Sequence, residues 1–170
     1  GAEDAMAEAR WVQDVADANP DWPLKQVVFV DLTARDLDAK LDAFQTLPSV
    51  VGVRQIIGRA PGEDAVTRTK TLLDNPNFIV GLQNAGRRKL SFDLQLIPEL
   101  MGKTADLLAR APNTAVALCH AGSPHDRSNN GLASWADELR ALSVLPQVRC
   151  KLSGLGMFDH NWTKNTISPI

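Results

Sequence analysis

Two kinds of apolar spacing alternate along the chain. Ala5, Met6, Ala9, Val12, Val15 and Ala16 recur at three- and four-residue steps, which predicts an amphipathic helix ended by Asn19-Pro20. The next apolar run, Gln26 to Asp31, is short and β-branched and predicts a buried strand. Thr33 with Asp36 three residues on predicts a capping-box-like start for a helix carrying Leu37, Leu41 and Phe44. A second strand is predicted over Val50 to Ile57, followed by a Gly/Pro-containing stretch from Gly58 to Gly62 and weaker helical pieces to about Ala85. The series continues with a strand over Leu90 to Leu96, a helix over Pro98 to Ala111, and a strand over Thr114 to His120. A polar loop, a helix over about Gly131 to Leu142, a strand over Val148 to Ser153 and an irregular tail complete it.

Nearly continuous apolar strands that alternate with helices indicate a parallel sheet covered on both faces. The fold class is therefore α/β, with about five parallel strands in a single domain over residues 1–170 and no internal linker or low-complexity segment. Two architectures fit. One is an open doubly wound sheet, and the other is part of a (β/α)8 barrel, which needs about 250 residues for its eight units.

Polar residues gather toward the carboxyl ends of the strands. Asp31 ends the first, Arg54-Gln55 lie in the second, and Ser91, Asp93 and Gln95 alternate with apolar residues in the third. His120 ends the fourth, and Lys151 and Ser153 take alternate positions in the fifth. Both architectures place their ligand site at this rim. A polar group buried in a sheet is costly unless paired, so several at one rim point to a shared polar site. Each residue also has a plainer reading. His120 reads equally as a satisfied core histidine, Arg54 as a structural partner of Asp31 or Asp93, Lys151 as a side chain reaching solvent, and Ser153 as a turn cap. His125 and His160 read as solvated loop residues, and Trp11, Trp22, Trp135 and Trp162 as core or helix-face packing.

Composition narrows the class further. The chain has 170 residues, 44% of them hydrophobic, and 18 basic against 20 acidic residues leave a net charge of -2 with no long run of either sign. That balance argues against nucleic acid as a partner. No apolar stretch approaches the roughly 18 residues of a membrane span, so no membrane partner is expected. The acidic start Gly1-Ala2-Glu3-Asp4 lacks the basic character of a signal peptide, which points to a cytoplasmic protein. Cys119 and Cys150 lie in apolar runs without metal-ligand spacing and read as two buried, reduced thiols. No GxGxxG, GxxxxGK[ST], GxSxG or HExxH motif occurs.

Four segments, in order and spacing, span nearly the whole chain: Val50-Val51-Gly52-Val53-Arg54-Gln55-Ile56, Leu90-Ser91-Phe92-Asp93-Leu94-Gln95-Leu96, Cys119-His120-Ala121-Gly122-Ser123-Pro124, and Lys151-Leu152-Ser153-Gly154-Leu155-Gly156-Met157-Phe158-Asp159-His160 through Trp162-Thr163. In these the chain resembles the lactonase branch of the amidohydrolase superfamily, TIM-barrel hydrolases that include the 2-pyrone-4,6-dicarboxylate and sugar-lactone hydrolases. The resemblance implies a partial (β/α)8 TIM barrel holding strands two to six. It also implies a reaction, in which water opens a lactone ester bond to a hydroxy acid. His120 would match the family histidine that polarises the substrate carbonyl, or binds a divalent metal such as zinc where one is used; the alternative is no cofactor. Arg54 would match an arginine holding a substrate carboxylate or oxyanion, and Gln95 would line the pocket. Asp31, Lys151 and Ser153 join the substrate-binding set by position alone.

Two family features are missing from the sequence: the HxH of a first strand and the aspartate after an eighth strand, the usual general base. The expectation is a middle portion of a longer barrel, inactive by itself, whose open sheet edges favour homo-oligomerisation or other self-association. The expected partner is a small-molecule lactone or carboxylated substrate. A metal-dependent decarboxylase of the same superfamily is the enzymatic alternative. A flavodoxin-like binding domain is the non-enzymatic one, and it would set its first strand between the second and third.

Overall fold

The computed structural model describes residues 4–59 and 68–170. The end of the Gly58–Gly62 stretch lies outside the described residues. Helix α1 (Ala5–Ala18) begins at Asp4, whose carboxylate accepts the free amides of Met6 and Ala7, and it stops at Asn19 as its spacing predicts. Strand β1 (Gln26–Phe29) leads through a turn to α2 (Leu37–Gln45) and then β2 (Val50–Ile56). A short 3₁₀ turn, Thr69–Asp74, precedes α3 (Pro76–Arg87), which is capped by Asn75 and has proline at its first position, where no amide is needed. Then follow β3 (Ser91–Gln95), α4 (Met101–Leu108), β4 (Val116–Leu118), α5 (Asn129–Ser143), β5 (Val148–Cys150) and a short α6 (Lys164–Ile167).

The five strands pair in parallel in the order β1-β2-β3-β4-β5, each beside its neighbour in sequence. A flavodoxin-like sheet would break that order, whereas a partial (β/α)8 barrel requires it. Alternation along the strands separates two faces. Val28, Val30, Val53, Ile57, Phe92, Leu94, Leu96, Val116 and Leu118 are buried beneath the helices and form the core. Phe92 sits edge-on to Phe78 of α3, with ring centroids 6.1 Å apart. The residues between them on the strands, Phe29, Arg54, Asp93, Ala117 and Arg149, lie side by side across the sheet on the other face.

Several local expectations are corrected. Thr33 does not cap α2. Its hydroxyl and amide both go to Asp31 Oδ1, and α2 starts at Asp36 without a side-chain cap. The predicted helix from Pro98 opens as a 3₁₀ turn, Pro98–Leu100, before α4. Only Trp135 of the four tryptophans is buried, its indole N–H donating to the Ala121 carbonyl, while Trp11, Trp22 and Trp162 are exposed. Of the two thiols expected to be buried, Cys119 is and Cys150 is exposed, because β5 is paired on one side only among the described residues.

Candidate active site

Strand register builds the centre of the site. Arg54 on β2 is the direct neighbour of Asp93 on β3, so both side chains rise from the same face. Ala117 continues that row on β4 and Arg149 on β5, which puts Cys119 and Lys151, each two residues further along, over the same carboxyl rim. Lys151 extends the β5 ladder, its amide donating to the Leu118 carbonyl at 2.8 Å.

The side chains of Arg54, Lys151 and Cys119 converge on one carboxylate oxygen of Asp93. Asp93 Oδ2 accepts from Arg54 Nη2 at 3.0 Å, from Lys151 Nζ at 2.9 Å and from the Cys119 thiol at 3.6 Å. Asp93 is buried, with 6% of its side chain exposed, whereas the Arg54 and Lys151 side chains are 39% and 43% exposed. Arg54 Nη2 also approaches Cys119 Sγ at 3.7 Å, and its Nε is buried without an acceptor among the described residues. Burial alone would raise the Asp93 pKa, but the hydrogen bonds and charges of Lys151 and Arg54 outweigh it and hold the carboxyl below its ordinary range. The same pairing holds Lys151 above the usual lysine range. The Cys119 thiol is pushed up, first by burial and then by the Asp93 charge, so it stays a neutral donor.

His120 stands beside this cluster on unusual backbone. His120, Ala121, Gly122 and Ser123 all have positive φ, at 55°, 50°, 73° and 53°. Three of them are not glycine, and such a run persists only where its surroundings over-determine it. Here the Ala121 amide donates to the Lys151 carbonyl, the Ser123 amide to the His120 carbonyl, and Trp135 to the Ala121 carbonyl. The run ends β4 at Leu118, short of the His120 boundary predicted from sequence, and swings the imidazole over the rim. His120 Nδ1 shares a 3.2 Å hydrogen bond with Ser153 Oγ, which turns Nε2 away from that contact. Gly154, at φ 62°, lies under the ring: a Cβ there would come within 2.6 Å of Nδ1. Burial and then the nearby Arg54 and Lys151 cations lower the His120 pKa, so the ring is neutral at neutral pH.

The rim therefore brings together Arg54 and Lys151 on Asp93, with His120 and Ser153 paired beside them. Among the described residues no hydrogen bond ties Asp31 or Gln95 to that cluster. The Asp31 Oδ1 atom accepts from the Thr33 amide and hydroxyl and from Gln55 Nε2, which fixes the turn after β1 and keeps the carboxyl below its ordinary range against its burial. Asp31 borders a cavity of about 510 Å³ among α1, α2 and β1. Gln95 shares the Asp93 face at the end of β3, half-buried, and its carbonyl accepts the Ile57 amide. His125, expected in solvent, instead bonds Glu99 at 2.9 Å and packs edge-on to Phe158, while His160 is exposed as expected.

Zinc in proteins takes three or four ligands. Among the described residues no group of three or more His, Cys, Asp and Glu side chains could hold a metal. His120 offers one donor, and two cations flank it. These residues do not fit a metal centre by themselves.

The sequence matches the amidohydrolase family over residues 1–170. The chain belongs to the amidohydrolase family. It is 30% identical to protein y4mH of Sinorhizobium fredii over 163 residues, which is 95% of this chain and 54% of the relative. It is 31% identical over 99 residues to an L-fucono-1,5-lactonase of Burkholderia multivorans, covering 56% of this chain and 33% of that enzyme. A crystal structure of a Burkholderia multivorans amidohydrolase with bound HEPES superposes with a TM-score of 0.78 at 23% identity, over 94% of this chain and 55% of that one. The chain spans about half the length of the curated relatives it matches, or less. The partial barrel of this amidohydrolase thus carries its polar cluster at the carboxyl rim, where barrel enzymes keep their active sites.

Proposed function

We propose that this amidohydrolase rim serves a lactonase. Arg54 and Lys151 hold an anionic oxygen of a carboxylated lactone, and His120, presenting Nε2, polarises the ring carbonyl. Water adds to that carbonyl, the ring C–O bond breaks, and a hydroxy acid leaves. The observation that carries this reading is the meeting of two half-exposed cations over a buried carboxylate beside a neutral histidine, all at the carboxyl ends of parallel strands. A guanidinium recognises carboxylate geometry, and a fixed cation stabilises charge developing on oxygen. The likeness to an L-fucono-1,5-lactonase supports the lactone over other esters.

The activity is proposed for the complete gene product, in the cytoplasm. Residues 1–170 are read as one domain within it. Among the described residues the only carboxylate in the cluster is Asp93, and it is committed to two cations, so these strands alone lack an evident general base and are proposed to be inactive without one. The β1 and β5 edges are proposed routes of self-association.

The test is acid release by the complete gene product from a panel of sugar 1,5-lactones and from 2-pyrone-4,6-dicarboxylate. One equivalent of hydroxy acid per ring opened, abolished in His120→Ala, is the expected result. Carbon dioxide release would assign a decarboxylase, and no ring opening across the panel would refute the lactonase reading.

A further inference from the structure

Asp93 is not among the residues expected to touch substrate, yet every charged member of the cluster is bound to it. Three donors already occupy Oδ2, and a carboxylate held below its ordinary range is a poor proton acceptor at neutral pH. General-base work is therefore the wrong role for it. Its burial beneath two more exposed cations suggests a different one.

We infer that Asp93 is a positioning residue that holds Arg54 and Lys151 as a two-pronged receptor for a carboxylate of the substrate; the inference rests on the anion-binding reading of the rim. Both cations donate to the same oxygen, at 3.0 and 2.9 Å, so the two nitrogens lie within about 6 Å of each other, close enough to share one carboxylate. They come from β2 and from the end of β5, with two strands between them. Without Asp93, two like charges on long flexible side chains repel and separate. With it, two cations against one carboxylate leave a local charge of +1, enough to attract an anion while fixing the geometry that receives it. The Cys119 thiol completes the arrangement from below, as a neutral donor that adds no charge.

Charge and position predict opposite signs for one substitution. Asp93→Asn raises the local charge from +1 to +2. If the cations act by charge alone, an anion binds more tightly. If Asp93 positions them, it binds more weakly. The probe is malonate, titrated into the purified full chain while the Arg54 and Lys151 side-chain nitrogen signals are followed by NMR. The expected result is binding about tenfold weaker in D93N, the loss of roughly one charge-assisted hydrogen bond. Equal or tighter binding in folded D93N overturns the inference. A merely structural Asp93 would lower the melting temperature and leave the affinity of the folded molecules equal or higher.

Asp93→Glu covers the case in which D93N does not fold. It keeps the charge and moves the oxygen by one methylene, and it is expected to weaken binding about fivefold; unchanged affinity overturns the inference. Arg54→Gln separates this inference from the reading beneath it. Binding lost in R54Q but tightened in D93N rejects positioning alone. Malonate that leaves the Arg54 and Lys151 signals unmoved in the wild type, or binds R54Q undiminished, rejects the anion site and positioning with it.

Discussion

Gly154→Ala is the sharpest local perturbation of the site. The added Cβ would stand 2.6 Å from His120 Nδ1, 2.9 Å from Cγ and 3.1 Å from Cβ. These atoms form the base of the imidazole, so the ring has to retreat by about 0.8 Å to regain ordinary contact. That retreat stretches the 3.2 Å contact with Ser153. Independently, a non-glycine residue at φ 62° costs about 1–2 kcal/mol. For a chain of this size the backbone cost alone lowers the melting temperature by roughly 2–8 °C. A displacement of nearly 1 Å at a reacting group costs on the order of 10²-fold in turnover. Thermal melting of the chain, the His120 ring nitrogen shifts and turnover by the complete gene product read the three effects. The double variant His120→Ala/Gly154→Ala isolates them: with the ring gone, the added methyl should cost only the backbone part. The reasoning is refuted if G154A melts within about 1 °C of the wild type with the His120 signals unmoved, or if the cost is unchanged when the ring is absent.

Three further outcomes follow from the same geometry. The His120 ring should titrate below the ordinary value of about 6.5 in the folded chain, followed by NMR; a midpoint at or above it contradicts the reading of burial beside Arg54 and Lys151. Asp93 has a lower pKa in the fold than in the unfolded chain, so its stabilisation is present above about pH 4 and is lost as pH falls through the native value. Denaturant unfolding should therefore show stability falling below pH 4 in the wild type and a shallower fall in D93N; parallel curves would refute this. A thiol reagent should modify Cys150 in the native chain, at a rate held down by the partial burial that raises its thiol pKa, and Cys119 only on unfolding, so that two reactive thiols in the native chain would contradict the burial of Cys119.

The strands were legible because each is an apolar run with its own turn signals, and their parallel pairing followed from the helices between them. The polar rim was legible too, since Arg54, His120, Lys151 and Ser153 interrupt or end apolar runs. The partner of Arg54 was legible only as a choice between Asp31 and Asp93, of which the structure shows Asp93. Alternation shows that Asp93 shares a face with Ser91 and Gln95, but only the register of β2 against β3 puts it beside Arg54. Cys119 looked like inert core because its neighbours in sequence are apolar, although its thiol faces the charged cluster. The left-handed run from His120 to Ser123 carries one glycine, so local propensity announces it at Gly122 alone; the hydrogen bonds of Trp135 and Lys151, distant in sequence, impose it. Gly154, within a weak Gly-Leu-Gly signal, is explained by the ring above it.

The central claim is that Arg54 receives the substrate's anion while His120 acts on its carbonyl. Steady-state kinetics of Arg54→Gln and His120→Gln in the complete gene product, on a carboxylated lactone, test it most directly. The account predicts that R54Q raises KM by about tenfold or more with a smaller change in kcat, the loss of a charge-assisted contact. It predicts that H120Q lowers kcat on the order of 10²-fold or more with KM little changed. Values of kcat/KM within about twofold of the wild type for both variants would contradict it.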